Sequence, residues 1–246
     1  MTCIARGLET EEHRGYTARG YLIERGVFAP SEVEAMIDHY SSVSAEGAHP
    51  GDFAGVPRRT RIGLPDPLAA WPRLINMHCW DERTRDWMLD PRLTDTVAAL
   101  IGQPARLLQT MVYFKPPGSR GQSFHQDNLY LRMTPVAAAW VALDRAAAEN
   151  GAMEMVRGSH LLGLLPCAEA DTDLSFTDSE TVVPGYLPRD LIALEPGDVV
   201  YFHGLTIHGS MPNRTTDRFR RAFICHYVGE TSWPIVGPAL PKSEAK

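Results

Sequence analysis

The spacing of apolar residues predicts two helices within the first 102 positions. Between residues 31 and 44 the apolar side chains recur three and four positions apart, as on one face of a helix: Val33, Met36, Ile37 and Tyr40. Ser31 and Glu34 have the spacing of a capping box, which predicts that this helix begins at Ser31. A second helix is predicted to begin after Asp90, an N-cap residue followed by proline, and to end at Gly102.

After residue 102 the pattern changes to the alternation of β-strands. Along residues 107–115 every second side chain shares a face, so Gln109 and Met111 point the same way. Residues 45–76 and 167–190 lack periodicity and are predicted to be loops. Further strands are predicted at 16–28, 124–132, 136–144, 152–156, 197–203 and 219–228. Short strands after two helices predict a mainly β fold with flanking helices around a double-sheet or jelly-roll core.

Composition and charge narrow the class of protein without changing this fold. The 246 residues are predicted to form one domain, residues 1–246. A net charge of −6 argues against a nucleic-acid partner, which usually requires a basic face. No stretch approaches the roughly 18 apolar residues of a membrane span. The four cysteines are scattered, so we expect reduced thiols in a cytoplasmic protein that binds no membrane.

Three side chains have the residue types of a mononuclear metal site. His125 and Asp127 are two positions apart in predicted strand 124–132, so both should lie on one face and contact one metal ion. A later apolar strand carries His203 and His208. With His208, the pair forms a facial set of two histidines and a carboxylate that leaves three positions open on iron. Structural zinc would instead favour four protein ligands, commonly including cysteine.

The other histidines are interpreted as structural residues. His13, His39 and His49 lie in helical or polar contexts without metal-binding neighbours in the sequence. His78 is not assigned a role. His160 closes a Gly-Ser-His segment at the end of a predicted strand, where fixing a turn is the simpler function.

Several motifs, taken in order, resemble one known family. His125-x-Asp127 is followed by the stretch from Asn150 to His160, then by Gly197-Asp198, His208-Gly-Ser210 and Arg220-Arg-Ala. Over about residues 16–228 this order is similar to the phytanoyl-CoA dioxygenase family of iron(II)- and 2-oxoglutarate-dependent oxygenases. The resemblance implies a double-stranded β-helix with a cupin-like core, Fe(II) bound by His125, Asp127 and His208, and 2-oxoglutarate and O2 as cosubstrates.

The resemblance also implies which residues bind 2-oxoglutarate. An arginine beyond the distal histidine pairs with the far carboxylate in such enzymes, a role that suits the planar guanidinium. Arg220 is assigned this role because its strand matches the family in register, although the loop after His208 is one residue longer and strand alternation does not choose between Arg220 and Arg221. Four other positions are similar to residues lining the cosubstrate or substrate site, with core packing as the competing interpretation: Gln109, Met111, Trp140 and Ser210.

The implied reaction is oxidation of an unactivated C–H bond in a small molecule, such as a natural-product intermediate or a carboxylate or acyl compound, with succinate and CO2 as coproducts. Hydroxylation is the simplest outcome, while desaturation and cyclisation are open alternatives. Halogenating relatives lack the carboxylate ligand, so Asp127 predicts an oxygenation site. The competing classes are a non-catalytic metal- or ligand-binding protein on the same fold and a metal-dependent hydrolase, which would require a general base near the metal-bound water.

The substrate is expected to be selected by the loops at 45–76 and 162–190. The first loop contains Arg58, Arg59 and Arg61, which form either a solvated basic face or a clamp for an anionic substrate. The sequence predicts a monomer or a small homo-oligomer.

Overall fold

The computed structural model describes residues 10–61, 63 and 65–235. Within this part the helices are α1 (Thr10–Arg19), α2 (Pro30–Ala45), α3 (Glu82–Met88), α4 (Pro91–Ile101) and α5 (Asn128–Leu131). The strands are β1 (Tyr21–Glu24), β2 (Leu74–Ile75), β3 (Ala105–Tyr113), β4 (Gln122–His125), β5 (Met133–Ala142), β6 (Met153–Val156), β7 (Cys167–Glu169), β8 (Ser179–Thr181), β9 (Arg189–Ile192), β10 (Val199–His203), β11 (His208–Ser210) and β12 (Ala222–Pro234). Short 3-10 turns span Pro67–Ala69, Met77–Cys79, Ala148–Asn150 and Ser159–Leu162.

Two antiparallel sheets form the centre of the fold. The larger sheet has the strand order β1-β10-β5-β12-β3-β2, and the smaller has the order β4-β11-β6-β9. In both sheets most neighbouring strands are distant in sequence, as in a jelly roll. A separate ribbon pairs β7 with β8. The predicted mainly β fold, a double-stranded β-helix with flanking helices, is therefore confirmed.

Side-chain alternation explains why the large sheet is buried on both faces. In β5, Ala138 and Trp140 pack between the two sheets with residues of the small sheet such as Met153. Ala139 and Val141, one position along, pack on the opposite face with residues of α2 and α4. A near-continuous run of apolar residues is what such a doubly covered strand requires.

Buried hydroxyl groups and one arginine attach the helices to the large sheet. The Tyr227 hydroxyl donates to the Met88 carbonyl at 2.7 Å, and the Tyr201 hydroxyl donates to the Arg92 carbonyl at 3.2 Å. The Arg92 guanidinium also pairs with Glu32 and Asp90, which joins the start of α2 to the start of α4. The helices are thus held at fixed positions on the face away from the small sheet.

The structure corrects the predicted start of α2. The helix begins at Pro30, and the Glu32 carboxylate accepts a hydrogen bond from the Ala29 backbone N–H at 2.7 Å. The predicted capping box of Ser31 and Glu34 is therefore wrong. Proline at the first helical position needs no amide partner. The N-cap is therefore Ala29, two residues before the predicted Ser31.

Two other predictions were wrong in part. The predicted strand 16–28 is strand only over Tyr21–Glu24, because its first residues end α1, a mostly polar helix with only a weak apolar face. The predicted loop at 167–190 contains the β7–β8 ribbon and the start of β9. By contrast, the loop at 45–76 contains one 3-10 turn and β2 at its end.

Within the described residues, no helix is both long and apolar enough to cross a lipid bilayer.

The turn before β10 depends on a glycine, which gives a stability test. Gly197 has φ +88°, and a Cβ there would lie 2.2 Å from the Phe28 carbonyl oxygen. We expect Gly197→Ala to destabilise the fold by about 3 kcal/mol, through backbone strain and this overlap. Gly26→Ala, at φ +60° with open space, should cost only about 1 kcal/mol. Urea unfolding followed by circular dichroism measures both, and equal losses would contradict the steric argument.

Candidate active site

Two histidines face each other across neighbouring strands of the small sheet. His125 ends β4 and is the register partner of His208 at the start of β11. The His125 Nδ1 atom bonds to the Ser123 carbonyl at 2.9 Å, and the His208 Nδ1 atom bonds to the Thr206 carbonyl at 3.0 Å. Because a carbonyl only accepts, each Nδ1 carries the proton. Each Nε2 therefore keeps its lone pair for a metal ion.

Asp127 reaches the same point by a different route from the one predicted. Strand β4 ends at His125, and Asp127 has helical angles (φ −57°, ψ −33°) at the start of α5. The prediction that 124–132 is one strand, with His125 and Asp127 on one face, is therefore wrong. The Asp127 Oδ1 atom nevertheless lies 3.6 Å from the Nε2 atoms of both His125 and His208.

Buried amide contacts explain why the chain turns after His125. The Gln126 side chain is fully buried and donates to the carbonyls of Gly163 and Leu205 at 2.8 and 2.7 Å. Its Oε1 atom accepts the Leu165 backbone N–H at 2.8 Å. All polar atoms of this side chain are satisfied away from the triad. The residue between the two ligands therefore fixes the bend that points Asp127 inwards.

The three ligand atoms form a cluster suited to one metal ion. They all lie within 4.8 Å of one another, and the three residues are buried. Burial, more than the neighbouring His208, lowers the pKa of His125 to about 3, so its imidazole is neutral at pH 7. Burial alone would raise the pKa of Asp127, but His208 and His226 lower it below its usual value. Two imidazoles and one carboxylate are the donor set of a facial iron(II) site.

A third histidine, His226 in β12, holds the carboxylate ligand in place. Its Nε2 atom lies 2.9 Å from Asp127 Oδ2, so one oxygen of the carboxylate is fixed while Oδ1 faces the two histidines. His226 is 1% exposed. It therefore orients a ligand without being one itself, in the way that buried partners position metal-binding residues.

A pocket beside the triad, called here the basic pocket, contains Arg220. The Arg220 side chain is 3% exposed and its carbon Cζ lies 5.2 Å from the ring centre of Trp140. Its Nε atom donates to the Gly151 carbonyl, but its Nη1 atom is buried without a partner. Arg221 instead forms a two-bond ion pair with Asp144 at 2.7 and 2.8 Å. Of the two neighbours, Arg220 is the one with unused donors facing a pocket.

Lys115 brings a second basic side chain into the basic pocket. It is 4% exposed, and its Nζ atom donates to Ser210 Oγ at 2.8 Å. Burial, followed by the nearby positive charge of Arg220, lowers its pKa well below the usual value. Asp127 is the one carboxylate among the described residues that line this pocket. The remaining lining combines polar residues such as Arg73, Arg120 and Gln122 with apolar ones: Met111, Trp140, Met153, Phe202 and Ile224.

An adjoining cavity of about 430 Å³ also borders two of the candidate metal ligands. It shares His125, Asp127, Met111 and Tyr113 with the basic pocket. Gln109 lines this cavity and is not among the residues of the basic pocket. The remaining lining includes Val56, Ile75, Tyr130, Leu131 and Thr177. The volume is in the range of small-molecule sites.

The predicted basic cluster lies elsewhere. Arg58 and Arg59 donate to backbone carbonyls of Asp173 and Ala170, and the Arg61 backbone N–H donates to Asp173 Oδ1. These arginines tie the loop at 45–76 to the loop at 167–190. They do not line the basic pocket or the adjoining cavity.

The remaining histidines have structural contacts. His203 accepts the Leu205 backbone N–H through Nδ1 and lies outside the cluster of His125, Asp127 and His208, so it is not one of the candidate ligands. His160 bonds to the Thr17 carbonyl, and His78 bonds to Thr110 Oγ1. His39 pairs with Asp81, His49 stacks on Trp80, and His13 is exposed.

Comparisons with known proteins agree with this arrangement. The family model for phytanoyl-CoA dioxygenase (PhyH) matches residues 16–222. A probable phytanoyl-CoA dioxygenase of Caenorhabditis elegans is 27% identical over 238 residues, covering 91% of this chain and 76% of the relative. The crystal structure of SnoK, a non-heme α-ketoglutarate-dependent carbocyclase from nogalamycin biosynthesis, has a TM-score of 0.74 at 22% identity and covers 96% of this chain and 97% of its own. The epimerase SnoN in complex with Fe3+, α-ketoglutarate and nogalamycin RO has a TM-score of 0.71 at 20% identity, with 95% of each chain covered.

The fold, the facial triad and the family match together define an iron(II)- and 2-oxoglutarate-dependent oxygenase that acts on a small molecule. The chain belongs to the phytanoyl-CoA dioxygenase family.

Sequence reasoning missed three polar residues of this region: Lys115, His226 and Arg73. The contact between His226 and Asp127 joins positions 99 apart, so no local pattern indicated it. Lys115 ends the stretch 107–115, where alternation predicts a strand and assigns that residue no role. For His226, an imidazole within an apolar strand was the available signal, since such a residue is rarely buried without a partner.

The contact between His226 and Asp127 predicts weaker metal binding when it is removed. His226→Leu should lower the affinity for Co(II) or Ni(II) by about 10- to 100-fold, because the carboxylate then loses its orientation. His226→Gln, which keeps an N–H donor, should recover part of the affinity. Calorimetric titration measures these constants. His203→Leu is the matched control because His203 contacts no ligand residue, and wild-type affinity in His226→Leu would contradict the positioning role.

Proposed function

We propose that the protein oxidises an unactivated C–H bond of a small organic substrate, most simply by hydroxylation, with conversion of 2-oxoglutarate to succinate and CO2. The observation that carries this proposal is the charge of the basic pocket. Arg220 and Lys115 are both buried there, and Arg220 Nη1 has no acceptor. Burying cations without a counter-charge is costly, so the pocket favours an anionic ligand.

The size and polarity of 2-oxoglutarate fit the two ends of this pocket. Its far carboxylate would pair with Arg220 and accept hydrogen bonds from Ser210 and Lys115, which already contact each other at 2.8 Å. Its oxoacid end would reach the position between His125, Asp127 and His208. Trp140, beneath the Arg220 guanidinium, and Met111 form walls for the methylene groups. In this assignment Gln109 faces the substrate in the adjoining cavity.

The residues of this chain supply position, charge and protection from water. Iron(II), when bound, would pass electrons to O2: decarboxylation of the oxoacid and oxidation of the substrate each provide two of the four electrons that O2 takes up. His125 and His208 present fixed lone pairs, and His226 holds the Asp127 carboxylate in one orientation. The apolar lining of the basic pocket limits the access of water to the reacting groups. The adjoining cavity, which His125 and Asp127 line, would bring a substrate C–H bond to the triad.

The two competing classes have less support. A hydrolase requires a general base near a metal-bound water, and the described residues lining the basic pocket include no carboxylate besides Asp127. A non-catalytic metal- or ligand-binding protein would not need the unpaired guanidinium of Arg220 beside the triad. The fold itself does not select the reaction, because the structural relatives include a carbocyclase and an epimerase. Asp127, a carboxylate at the third ligand position, supports oxygenation over halogenation.

Succinate formation tests the proposed function directly. The purified protein with Fe(II), 2-oxoglutarate, O2 and a panel of small molecules should form succinate, with substrate-dependent stimulation and one oxygen atom from 18O2 in a hydroxylated product. Anaerobic titration of the Fe(II) protein with 2-oxoglutarate should give the absorption of a metal-bound oxoacid. The proposal is wrong if no turnover occurs with any compound and the metal-loaded protein does not bind the oxoacid.

The neighbouring arginines provide a matched pair of variants. Arg220→Met should raise the KM for 2-oxoglutarate by about 100-fold, because hydrogen bonds to a buried charged group are lost. Arg221→Met removes an ion pair with Asp144 outside the pocket and should leave this KM within about two-fold. Initial rates of succinate formation against 2-oxoglutarate concentration measure both. An increase in KM confined to Arg221→Met would reverse the assignment.

A further inference from the structure

Arg73 is a guanidinium beside the metal ligands that the binding of 2-oxoglutarate does not require. It precedes β2 and forms two backbone hydrogen bonds with Phe53, at 3.1 and 3.0 Å. Its side chain lines both the basic pocket and the adjoining cavity. Because β2 pairs with β3 at Ile75 and Met111, the position of Arg73 relative to the site is fixed by the sheet.

Three aromatic rings surround the Arg73 guanidinium. Its Cζ atom lies 4.6 Å from the ring centre of Phe53, 5.1 Å from that of Tyr113 and 4.4 Å from that of Phe176. Cation–π contacts of this kind hold the planar group in one orientation. The rings come from three separate parts of the chain, including both loops expected to select the substrate. Because these rings contact the guanidinium of Arg73, a ligand would be recognised through the N–H groups at its edge.

The donors of Arg73 are only partly used. Its Nη1 atom donates to the Tyr113 hydroxyl at 2.8 Å, while Nε is buried without an acceptor. Among the described residues no carboxylate forms an ion pair with Arg73, and no acceptor contacts Nη2. Asp178 is the carboxylate besides Asp127 that lines the adjoining cavity, and it is exposed. The cavity therefore has a fixed positive charge without a protein counter-ion.

A chain of polar contacts links this charge to the metal site. Tyr113 donates to Gln122 Oε1 at 3.3 Å, and Gln122 Nε2 lies 3.1 Å from His125 Nε2. Arg73 is thus a few contacts from the reacting centre. In the proposed function the far carboxylate of 2-oxoglutarate belongs to Arg220, Ser210 and Lys115, and its near carboxylate belongs to the metal. Neither end requires Arg73.

We propose that Arg73, held by Phe53, Tyr113 and Phe176, is the anchor for a carboxylate group of the substrate, which places the rest of an organic acid in the adjoining cavity. This inference rests on the proposed function and adds the substrate class. The planar edge of a guanidinium matches a carboxylate in geometry as well as charge. Val56, Ile75 and Leu131 line the same cavity and suit an apolar body attached to the acid.

A matched pair of probes tests the charge preference without knowledge of the natural substrate. Naphthalene-2-carboxylate and naphthalene-2-carboxamide differ in charge but hardly in shape. Their dissociation constants are measured by ligand-observed NMR on protein loaded with Ni(II) and 2-oxoglutarate, where no turnover occurs. The wild type should bind the carboxylate about ten-fold more tightly than the amide, because one charge-assisted contact is lost in the amide. Arg73→Met should abolish this preference, and Arg73→Lys should retain part of it.

The control variant is Arg83→Met. Arg83 also stacks on an aromatic ring, that of Trp87 at 5.2 Å, but lies exposed on α3 outside both pockets. It should keep the wild-type preference, and thermal unfolding of each variant checks that the fold is retained. Equal binding of the two probes, absence of carboxylate binding, or a preference that persists in Arg73→Met would overturn the proposal.

Titration with 2-oxoglutarate separates this proposal from the proposed function. Arg73→Met should bind 2-oxoglutarate to its Fe(II) form as the wild type does. If Arg73→Met instead weakens 2-oxoglutarate as strongly as Arg220→Met, Arg73 belongs to the cosubstrate site and the substrate assignment is wrong. If the wild type binds no 2-oxoglutarate at all, the proposed function fails, whereas the preference between the two probes can still be measured on the Ni(II) protein alone.

Discussion

Two hydrogen bonds from imidazole Nδ1 atoms to backbone carbonyls are the constraint on which the site depends. The bond from His125 to Ser123 and the bond from His208 to Thr206 each span two residues, so each ring is fixed by the residue two positions earlier, Ser123 within β4 and Thr206 just before β11. Since β4 and β11 pair with these histidines opposite each other, both Nε2 atoms face the same point. The third ligand then has to come from outside this strand pair. Asp127 meets that requirement because the chain leaves β4 after His125 and enters α5.

Two arginines beside the triad differ in charge pairing from two arginines of comparable burial elsewhere. Arg120 has Asp66 as its counter-ion, and Arg221 has Asp144. Around the triad, Arg220 and Arg73 have none among the described residues. Burying an unpaired charge costs free energy, and a bound anion would remove that cost. As proposed, acids that pair with Arg220 and Arg73 would therefore stabilise the folded protein.

Local patterns in the sequence were enough to predict the helices near α2 and α4, the alternation of β3 and the three residues that the structure brings together as a candidate metal site. They were not enough to predict geometry that depends on distant residues. The contact between His226 and Asp127 spans 99 positions, and the three rings around Arg73 come from separate segments. Period-two alternation placed His125 and Asp127 together on one strand, but the strand ends at His125. The two side chains meet because the chain bends after His125, and that bend depends on amide contacts of Gln126 with two loops. The sequence alone could not separate Arg220 from Arg221; in the structure Arg221 pairs with Asp144, while Arg220 Nη1 has no acceptor among the described residues.

The loops that border the adjoining cavity are fixed more firmly than their irregular sequences indicate. Arg120 is 4% exposed and donates to the carbonyls of Val56, Thr172 and Ser175 at 2.8 to 2.9 Å, which joins both loops to the segment preceding β4. Phe176 is held in the same way, since its backbone bonds to Gly121 and Val56. The ring that covers Arg73 is therefore positioned by the segment that leads to His125. The segment before β4 therefore positions both the Phe176 ring and His125. A substrate bound at Arg73 would be aligned with the candidate metal site by the fold itself.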